Sequence, residues 1–521
     1  MTEPTPQEPM QKPIQKSGRH RSIWPKVPAR FVSGVLAGHS VLGLSFAALI
    51  YVICLSGTIL VMAHEIERWE YPAGPLVNTA TPDQIDAALA NGYAYAREND
   101  KLHDIFIETP RPDAPRLRVR ILDSERGIDE TWLARQDGTL MERHDSTVFR
   151  FLADLHIFLH MPRTIGLFIV GLIGVTLLSS ILSGVLAHPR IFRDAFSLRW
   201  GGSRRLQEAD LHNRLSVWGL PFHIAVSLTG ALLGLSTLIL GVLAYAAFDG
   251  DMEKARGTVA GPAIAEDDTP APPLRVGPTL HRLLAEHPQG RLLRVRVGHM
   301  ATKGQAFEVQ LTAPGHLTSS ERYYFDGAGN DLGMAGYADG TPGQQIIGAL
   351  GPLHFGWFGG LPVKLAYVLL GAALTVVTCS GVTIWIARRR DRGKPVPGWH
   401  RAWIAAVWGQ PVALGVTAAG LIAVPDFPPL IPYLTTVLAA FAAARLIRRT
   451  APLSRALRLA GAAALGGAAF IHMGHWAGQI ADPMGWAGNA VLLTLAGALA
   501  ASTLAGGRSM AAGRTSPAAA E

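Results

Sequence analysis

At 521 residues, with 49% hydrophobic and only 17% charged residues, the chain is too apolar for an ordinary soluble enzyme and too long for a single membrane span. Its formal net charge of +8 does not point to nucleic acid. The basic residues concentrate in short connections between apolar runs, where the positive-inside rule places the cytoplasm. A Gly-x-x-x-x-Gly-Lys-Ser/Thr loop and a glycine-rich fingerprint opening a βαβ unit are both missing, so no familiar nucleotide site is expected.

Runs of about 20 apolar residues, enough to cross a bilayer, fall at 38–63, 164–187, 215–247, 364–386, 403–424, 430–446, 457–478 and 486–506 and predict about eight spans. In chain order the reading is a polar tail over 1–29, span 1 over 30–64, a long connection over 65–148, and span 2 over 149–188. A basic loop over 189–211, span 3 over 212–247, a second long connection over 248–349 and span 4 over 350–388 follow. A basic loop over 389–402, four further spans over 403–506 and a tail over 507–521 complete the chain. Arg190, Arg193, Arg199, Arg204 and Arg205 in one short loop and "ARRRDRGK" in another put those loops and both termini in the cytoplasm, and the two long connections in the periplasm. The tails are expected to be disordered. Span 1 reads as an anchor, since "VMAHEIERW" offers no signal-peptide cleavage site. Cys54 and Cys379 fall inside apolar helices and are expected to stay unpaired.

Spans 1–2 repeat as spans 3–4. "GHSVLGLSFAALIYVICLSGTIL" and "LHNRLSVWGLPFHIAVSLTGALL" each carry a histidine, His39 and His212, followed at a spacing of seventeen by Ser56-Gly57 and Thr229-Gly230. "LADLHIFLH…LSGVLAHPR" and "LGPLHFGWFGG…CSGVTIWIARR" carry His156 and His354, then Ser183-Gly184 and Ser380-Gly381. Each half leaves the cytoplasm and returns to it, so a pseudo-twofold axis along the membrane normal is expected. "RLRVR" at 116–120 matches "RLLRVRV" at 291–297, and "DGTL" at 137–140 falls where "DGAG" does at 326–329. These patterns read as hairpin strands, giving each long connection a small α+β domain. "GPAIAEDDTPAPP" is expected as a flexible lead into the second.

Ionisable groups in membrane helices are costly and mark function. On the repeat, His39 pairs with His212 near the cytoplasmic side, and His156 with His354 near the outer side. Two imidazoles converging from opposite sides suit a six-coordinate b-type haem, and glycine and serine nearby leave room for a porphyrin face. Haem iron held by these four histidines, probed at two depths, would give two haems and a transmembrane electron path. His223, eleven residues after His212, and His160, one turn beyond His156, are further ligand or proton-path candidates. Their counterparts in the other half are Ile50 and Phe358. "HMGHW" places His472 and His475 at i, i+3 as a metal-site candidate lacking a third ligand, with interfacial packing the stronger reading.

These four motifs in order resemble the PepSY-associated transmembrane helix family over residues 30–390. The resemblance implies a haem-carrying four-helix core with two periplasmic PepSY-like domains. It implies ferric-siderophore reduction, Fe(III) to Fe(II), in the periplasm at a bacterial inner membrane. His39, His212, His156 and His354 carry over as axial ligands of two haem b groups. The expected partners are a ferric-siderophore substrate, an external donor (a quinol or a cytoplasmic reductase) and membrane lipid, with no nucleic acid. Arg116, Arg118, Arg120, Arg291, Arg294 and Arg296 are candidates for attracting an anionic ferric complex, or equally are solvated strand faces. The main rival is a PepSY-type binding, protease-regulating or sensory protein whose helices only anchor it. A transporter is a third reading, disfavoured by the lack of any evident matched helix breaks.

Overall fold

The computed structural model describes residues 28–512 apart from 102–103, 124–125, 127, 144, 189–194, 197–203 and 263–266. The expected tail disorder over 1–27 and 513–521, and part of the lead at 261–273, therefore lie outside the described residues. Among the described residues five helices are long and apolar enough to cross a membrane: α6 (Arg163–Ala187), α13 (Gly360–Asp391), α14 (Pro397–Ala423), α16 (Thr450–His475) and Pro483–Leu504 within α17 (Pro483–Ala512). Two bent pairs raise the number to seven: α1 (Ala29–Ser45) with α2 (Ala47–Leu60), and α7 (Arg204–Trp218) with α8 (Leu220–Gly234). The predicted sixth span, 430–446, forms helix α15 (Leu430–Leu446), which at 17 residues is shorter than those spans. The run predicted as span 3 is divided further, with α9 (Ser236–Ala247) following a break at Leu235.

The bends correct the expectation that the repeat has no matched breaks. They reach 68° at Phe46 and 70° at Gly219, each seven residues after the repeated histidine. At the second, Pro221 supplies a cause, because it has no N–H and its ring crowds the carbonyl four residues back. Each bend lets its helix change partner. The leading piece α1 packs on α6 of its own half, and α2 then crosses to α13 of the other. In the second half α7 packs on α13 while α8 crosses to α6. Small residues permit these crossings: a Cβ on Gly234 would lie 2.7 Å from Gly171 Cα, and one on Gly371 would lie 2.7 Å from Thr58 Oγ1.

The long connections do not form two separate domains. Strands β1 (Asp104–Glu108), β2 (Leu117–Asp123), β3 (Ile128–Ala134) and β4 (Leu140–Arg143) make one meander. Strands β5 (Leu292–Gly298), β6 (Ala306–Thr312), β7 (Ser320–Asp326) and β8 (Asp331–Met334) make the second. The two join through antiparallel β1–β5 pairing into one eight-stranded sheet, ordered β4-β3-β2-β1-β5-β6-β7-β8. That palindromic order is what a twofold between β1 and β5 produces. It also corrects one match in the repeat, because 116–120 lies on the second strand of its meander and 291–297 on the first of the other. Both strands alternate arginine with apolar residues because both present the same charged face, so pattern alone slipped by one strand.

Alternation decides the sheet's faces. Ile105, Ile107, Val119, Ile121, Val295, Val297 and Val309 are fully buried beneath α4 (Pro82–Glu98) and α11 (Gly277–Glu286), which contribute Ile85, Leu89, Leu280 and Leu283. One core therefore serves both connections. Helix α4 starts with a Thr81–Gln84 capping box and Pro82 at its first turn. Helix α12 (Pro342–Phe355) repeats the device with Thr341, Gln344 and Pro342.

Helices α14–α17 form the appended bundle, and it is fastened to α3 (Ala63–Glu70), the helix leading into the sheet. Asp482, with no side-chain exposure, takes Arg68 bidentately at 2.9 and 2.8 Å and Arg116 at 3.3 Å. His472 stacks on Trp69 with centroids 4.6 Å apart. One of its ring nitrogens meets the Trp69 carbonyl and the other Asn489. Both are thus occupied by protein, which removes His472 as a metal ligand and leaves His475 beside Trp476. Cys54 and Cys379 are both free thiols.

Candidate functional site

The four repeated histidines occupy two levels. His156 ends α5 (Thr147–Ile157) and His354 lies near the end of α12, both on the sheet side of the helical core. Their rings lie 6.2 Å apart, centroid to centroid, with planes inclined by only 28°. His39 on α1 and His212 on α7 line one cavity of about 430 Å³ toward the opposite side. The structure thus brings together the pairs that the repeat suggested.

Each ring is held the same way. His39 Nδ1 donates to the Ser180 carbonyl at 2.9 Å, His156 Nδ1 to the Ile53 carbonyl at 3.0 Å, and His212 Nδ1 to the Val377 carbonyl at 3.1 Å. His354 Nδ1 meets Thr229 Oγ1 at 3.1 Å, and that hydroxyl spends its own proton on the Ala225 carbonyl. A carbonyl oxygen accepts only, and a hydroxyl that has donated elsewhere accepts too. All four histidines are therefore Nδ1–H tautomers with the Nε2 lone pair available, the form in which imidazole binds a metal.

The Ser/Thr-Gly motifs are the cradles for these rings. Gly57 lies under His156, Gly230 under His354, Gly184 under His39 and Gly381 under His212. The hydroxyls join them: Ser380 Oγ lies 2.9 Å from His212 Nδ1, and Ser56 and Ser183 lie 3.4 Å from His156 and His39. Each half cross-braces itself, with its first helix cradling the histidine that precedes its second, and its second cradling that of its first. The sequence displayed the glycines and hydroxyls at matched spacing; the accepting carbonyls of Ile53, Ser180 and Val377 carry no sequence signal.

The less symmetric candidates separate. His160 Nε2 donates to the Phe151 carbonyl at 3.0 Å and its ring stacks on Phe151, so it closes the end of α5 and does not join His156. His223 is 1% exposed, lines the same cavity as His39 and His212, and its Nε2 has no hydrogen-bond partner. Its repeat counterpart Ile50 lines that cavity too. His188 also lines it, with an unpartnered Nδ1. Among the described residues no group of three or more His, Cys, Asp or Glu converges as a metal cluster.

Five of the six arginines considered for anion attraction are neutralised. Arg118 pairs with Glu67 at 2.9 Å, Arg120 with Asp129 at 2.7 Å, Arg294 with Glu308 at 3.2 Å, Arg296 with Asp104 at 2.8 Å, and Arg116 with Asp482. Burial raises the Glu67 carboxyl, but Arg118 and His64 outweigh it and carry it down to about 2. Glu70 goes the other way. Burial pushes it up to about 7 although it accepts from Val148 N at 2.8 Å, Phe149 N at 3.2 Å and Thr147 Oγ1 at 3.0 Å, at the start of the helix that ends in His156. Sequence reading missed Glu70 and Asp482, because a lone carboxylate near a span carries no motif.

The model of the PepSY-associated TM region matches residues 36–388. An uncharacterized protein of Pseudomonas aeruginosa is 28% identical over 252 residues, covering 45% of this chain. The aligned part spans 64% of that relative's length.

Proposed function

The chain belongs to the PepSY-associated transmembrane family, and from that premise we propose that it is a haem-carrying inner-membrane reductase. It moves electrons across the bilayer to reduce ferric-siderophore, Fe(III) to Fe(II), in the periplasm. The observation that carries the reading is the set of four Nδ1–H histidines with open Nε2 atoms, arranged as two pairs.

The residues fit the group. Two metal–imidazole bonds of about 2 Å, with about 1 Å more from each nitrogen to its ring centre, require centroids roughly 6 Å apart, and His156 and His354 stand at 6.2 Å. His39 and His212 would hold the second haem b, in the far cavity. Bound haem supplies a one-electron Fe(III)/Fe(II) couple at each level. The protein's part is positional. Carbonyl and hydroxyl acceptors fix each imidazole's tautomer and aim, and the glycines keep each ring against its helix. Ile50, Cys54, Ile173 and Leu374 pack together as a buried apolar cluster within the helical core. Electrons come from a quinol or a cytoplasmic reductase. Reduction weakens chelation by hard oxygen donors, since Fe(II) carries less charge. The long connections and the sheet then face the periplasm, with both termini in the cytoplasm.

A reduced-minus-oxidised visible spectrum of the detergent-purified protein, with haem quantified against protein, tests this. A b-type spectrum with about two haems per chain is expected. A colourless protein expressed with ample haem refutes it and favours a binding or protease-regulating role. The matched breaks beside a cavity favour one further reading, a transporter; uptake of labelled substrate into vesicles separates the two.

A further inference from the structure

The two halves match closely around the cavity that holds His39 and His212. Ser40 and Asn213, Gly43 and Ser216, and Gly184 and Gly381 take equivalent places in its wall. His223 breaks the match. Its counterpart Ile50 lines the same cavity, so an apolar side chain serves that place equally well. His223 is 1% exposed, and its Nε2 is buried without a hydrogen-bond partner. An unpaired buried nitrogen costs stability that isoleucine would not. The ring has a glycine cradle of its own, because a Cβ on Gly219, at the bend, would lie 2.4 Å from Nε2. Its edge meets Phe222 with centroids 5.9 Å apart. The bend therefore seats a further imidazole in the cavity wall, on one half only.

Among the described residues no Asp or Glu lines this cavity. From the elements around α8, the titratable or charged groups on this side are His39 of α1, His188 at the end of α6, His212 of α7, His354 of α12, and Arg388 and Tyr367 of α13. His39, His212 and His354 commit Nδ1 to protein acceptors and offer Nε2 to iron. Tyr367 donates to the Leu353 carbonyl, and Arg388 keeps its charge throughout. That leaves His188, whose Nδ1 is also unpartnered, as the rival to His223. An electron added in a low-dielectric cavity lacking a movable counter-charge is costly, and a proton taken up nearby offsets much of that cost.

We infer that His223 is the proton acceptor coupled to electron entry at the level of His39 and His212. The inference rests on the reductase reading. One electron from the donor, a quinol or a cytoplasmic reductase, converts Fe(III) to Fe(II) at that level. One proton from the aqueous phase adds to the Nε2 lone pair of His223, forming an N–H bond. When the electron moves on to the sheet-side level, Fe(III) is restored, that N–H bond breaks and the proton returns to water. The halves differ at this place because a single base serves a single electron.

Spectroelectrochemical titration of the full-length, haem-loaded protein between roughly pH 5 and 9 reads both midpoint potentials. In the wild-type protein one potential is expected to fall as pH rises, by up to tenfold in the reduction equilibrium per pH unit, about 59 mV for one electron. That potential is expected to be the one retained in His354→Ala. His223→Ile, which installs the residue of the other half, and His223→Gln, which stays polar but cannot titrate, are both expected to keep two haems and flatten the slope. His188→Asn is expected to leave it unchanged. Flat potentials in the wild-type protein, an unchanged slope in both His223 variants, or a slope abolished by His188→Asn overturns the inference. Loss of a haem from both His223 variants also overturns it, by making His223 a ligand. A protein without haem overturns this inference and the reductase reading together, whereas two haems with flat potentials overturn this inference alone.

Discussion

Adding one methyl group under each histidine gives a graded test of the cradles. A Cβ at Gly57 would lie 2.6 Å from His156 Cε1, at Gly230 2.9 Å from His354 Cε1, at Gly184 3.2 Å from His39 Cε1 and at Gly381 3.5 Å from His212 Cε1. In a helix, Gly→Ala alone stabilises by about 0.5–1 kcal/mol, whereas overpacking costs about 1–3 kcal/mol. At 3.5 Å the contact is ordinary, so Gly381→Ala shows the gain. At 2.6 Å the ring must move. Cε1 lies between the two ring nitrogens, so displacing it strains the Nδ1 bond to Ile53 and misdirects Nε2 together. Gly57→Ala should therefore weaken haem retention at the sheet-side pair by about 1–2 kcal/mol, roughly five- to thirtyfold, with Gly230→Ala next, Gly184→Ala mild and Gly381→Ala neutral or stabilising. Haem per protein and thermal midpoint, measured on the four variants purified alike, report the order. Uniform haem content across the four, or loss only in Gly381→Ala, refutes the cradle argument.

Replacing His354 with alanine should remove one of two haems and leave the other's spectrum unchanged, while His160→Phe, the residue of the other half, should remove neither; haem quantification decides both. Asp482→Asn leaves Arg68 and the 5%-exposed Arg116 without a counter-charge. It should lower stability by about 3–5 kcal/mol, seen as a fall in thermal midpoint and faster proteolysis between sheet and bundle; an unchanged midpoint would show that the fastening is incidental. Glu70 titrates near 7 in the fold against an ordinary 4.5, so the native state holds the extra proton in that window. Stability therefore declines as pH rises from 4.5 to 7, by roughly 3 kcal/mol at most. Glu67, held near 2, acts in the separate window below 4.5, where its contribution is lost as pH falls. Thermal midpoints in Glu70→Gln should lose the upper slope and keep the lower one; an unaltered upper slope would remove Glu70 as its source.

What the sequence displayed depended on whether a feature repeats. The histidines and their Ser/Thr-Gly partners stand at matched spacings in both halves, and the structure joins them pair by pair. The strands were visible from alternation, but their registry between halves was not. Both β2 and β5 alternate arginine with valine or leucine, and only pairing across the twofold tells first strand from second. The bends at Phe46 and Gly219 were hidden because helix breaks inside apolar runs need no polar residue, and Phe46 has no proline beside it. Asp482 and Glu70 gain their meaning from partners hundreds of positions away or from a helix start, and neither stands in a pattern.

The bends explain why a repeat was needed. Within a half, each histidine is braced by the other helix of that half. Neither ring has an opposite number there. His156 meets His354, and His39 shares its cavity with His212, only because α2 and α8 cross over to the second helix of the other half after Phe46 and Gly219. A straight span in either place would keep both rings against their own half and leave each Nε2 facing lipid. The crossing therefore turns two braced hairpins into two paired sites at two depths. It leaves the halves free to differ where pairing does not constrain them, as at His223 and Ile50 in the same cavity wall.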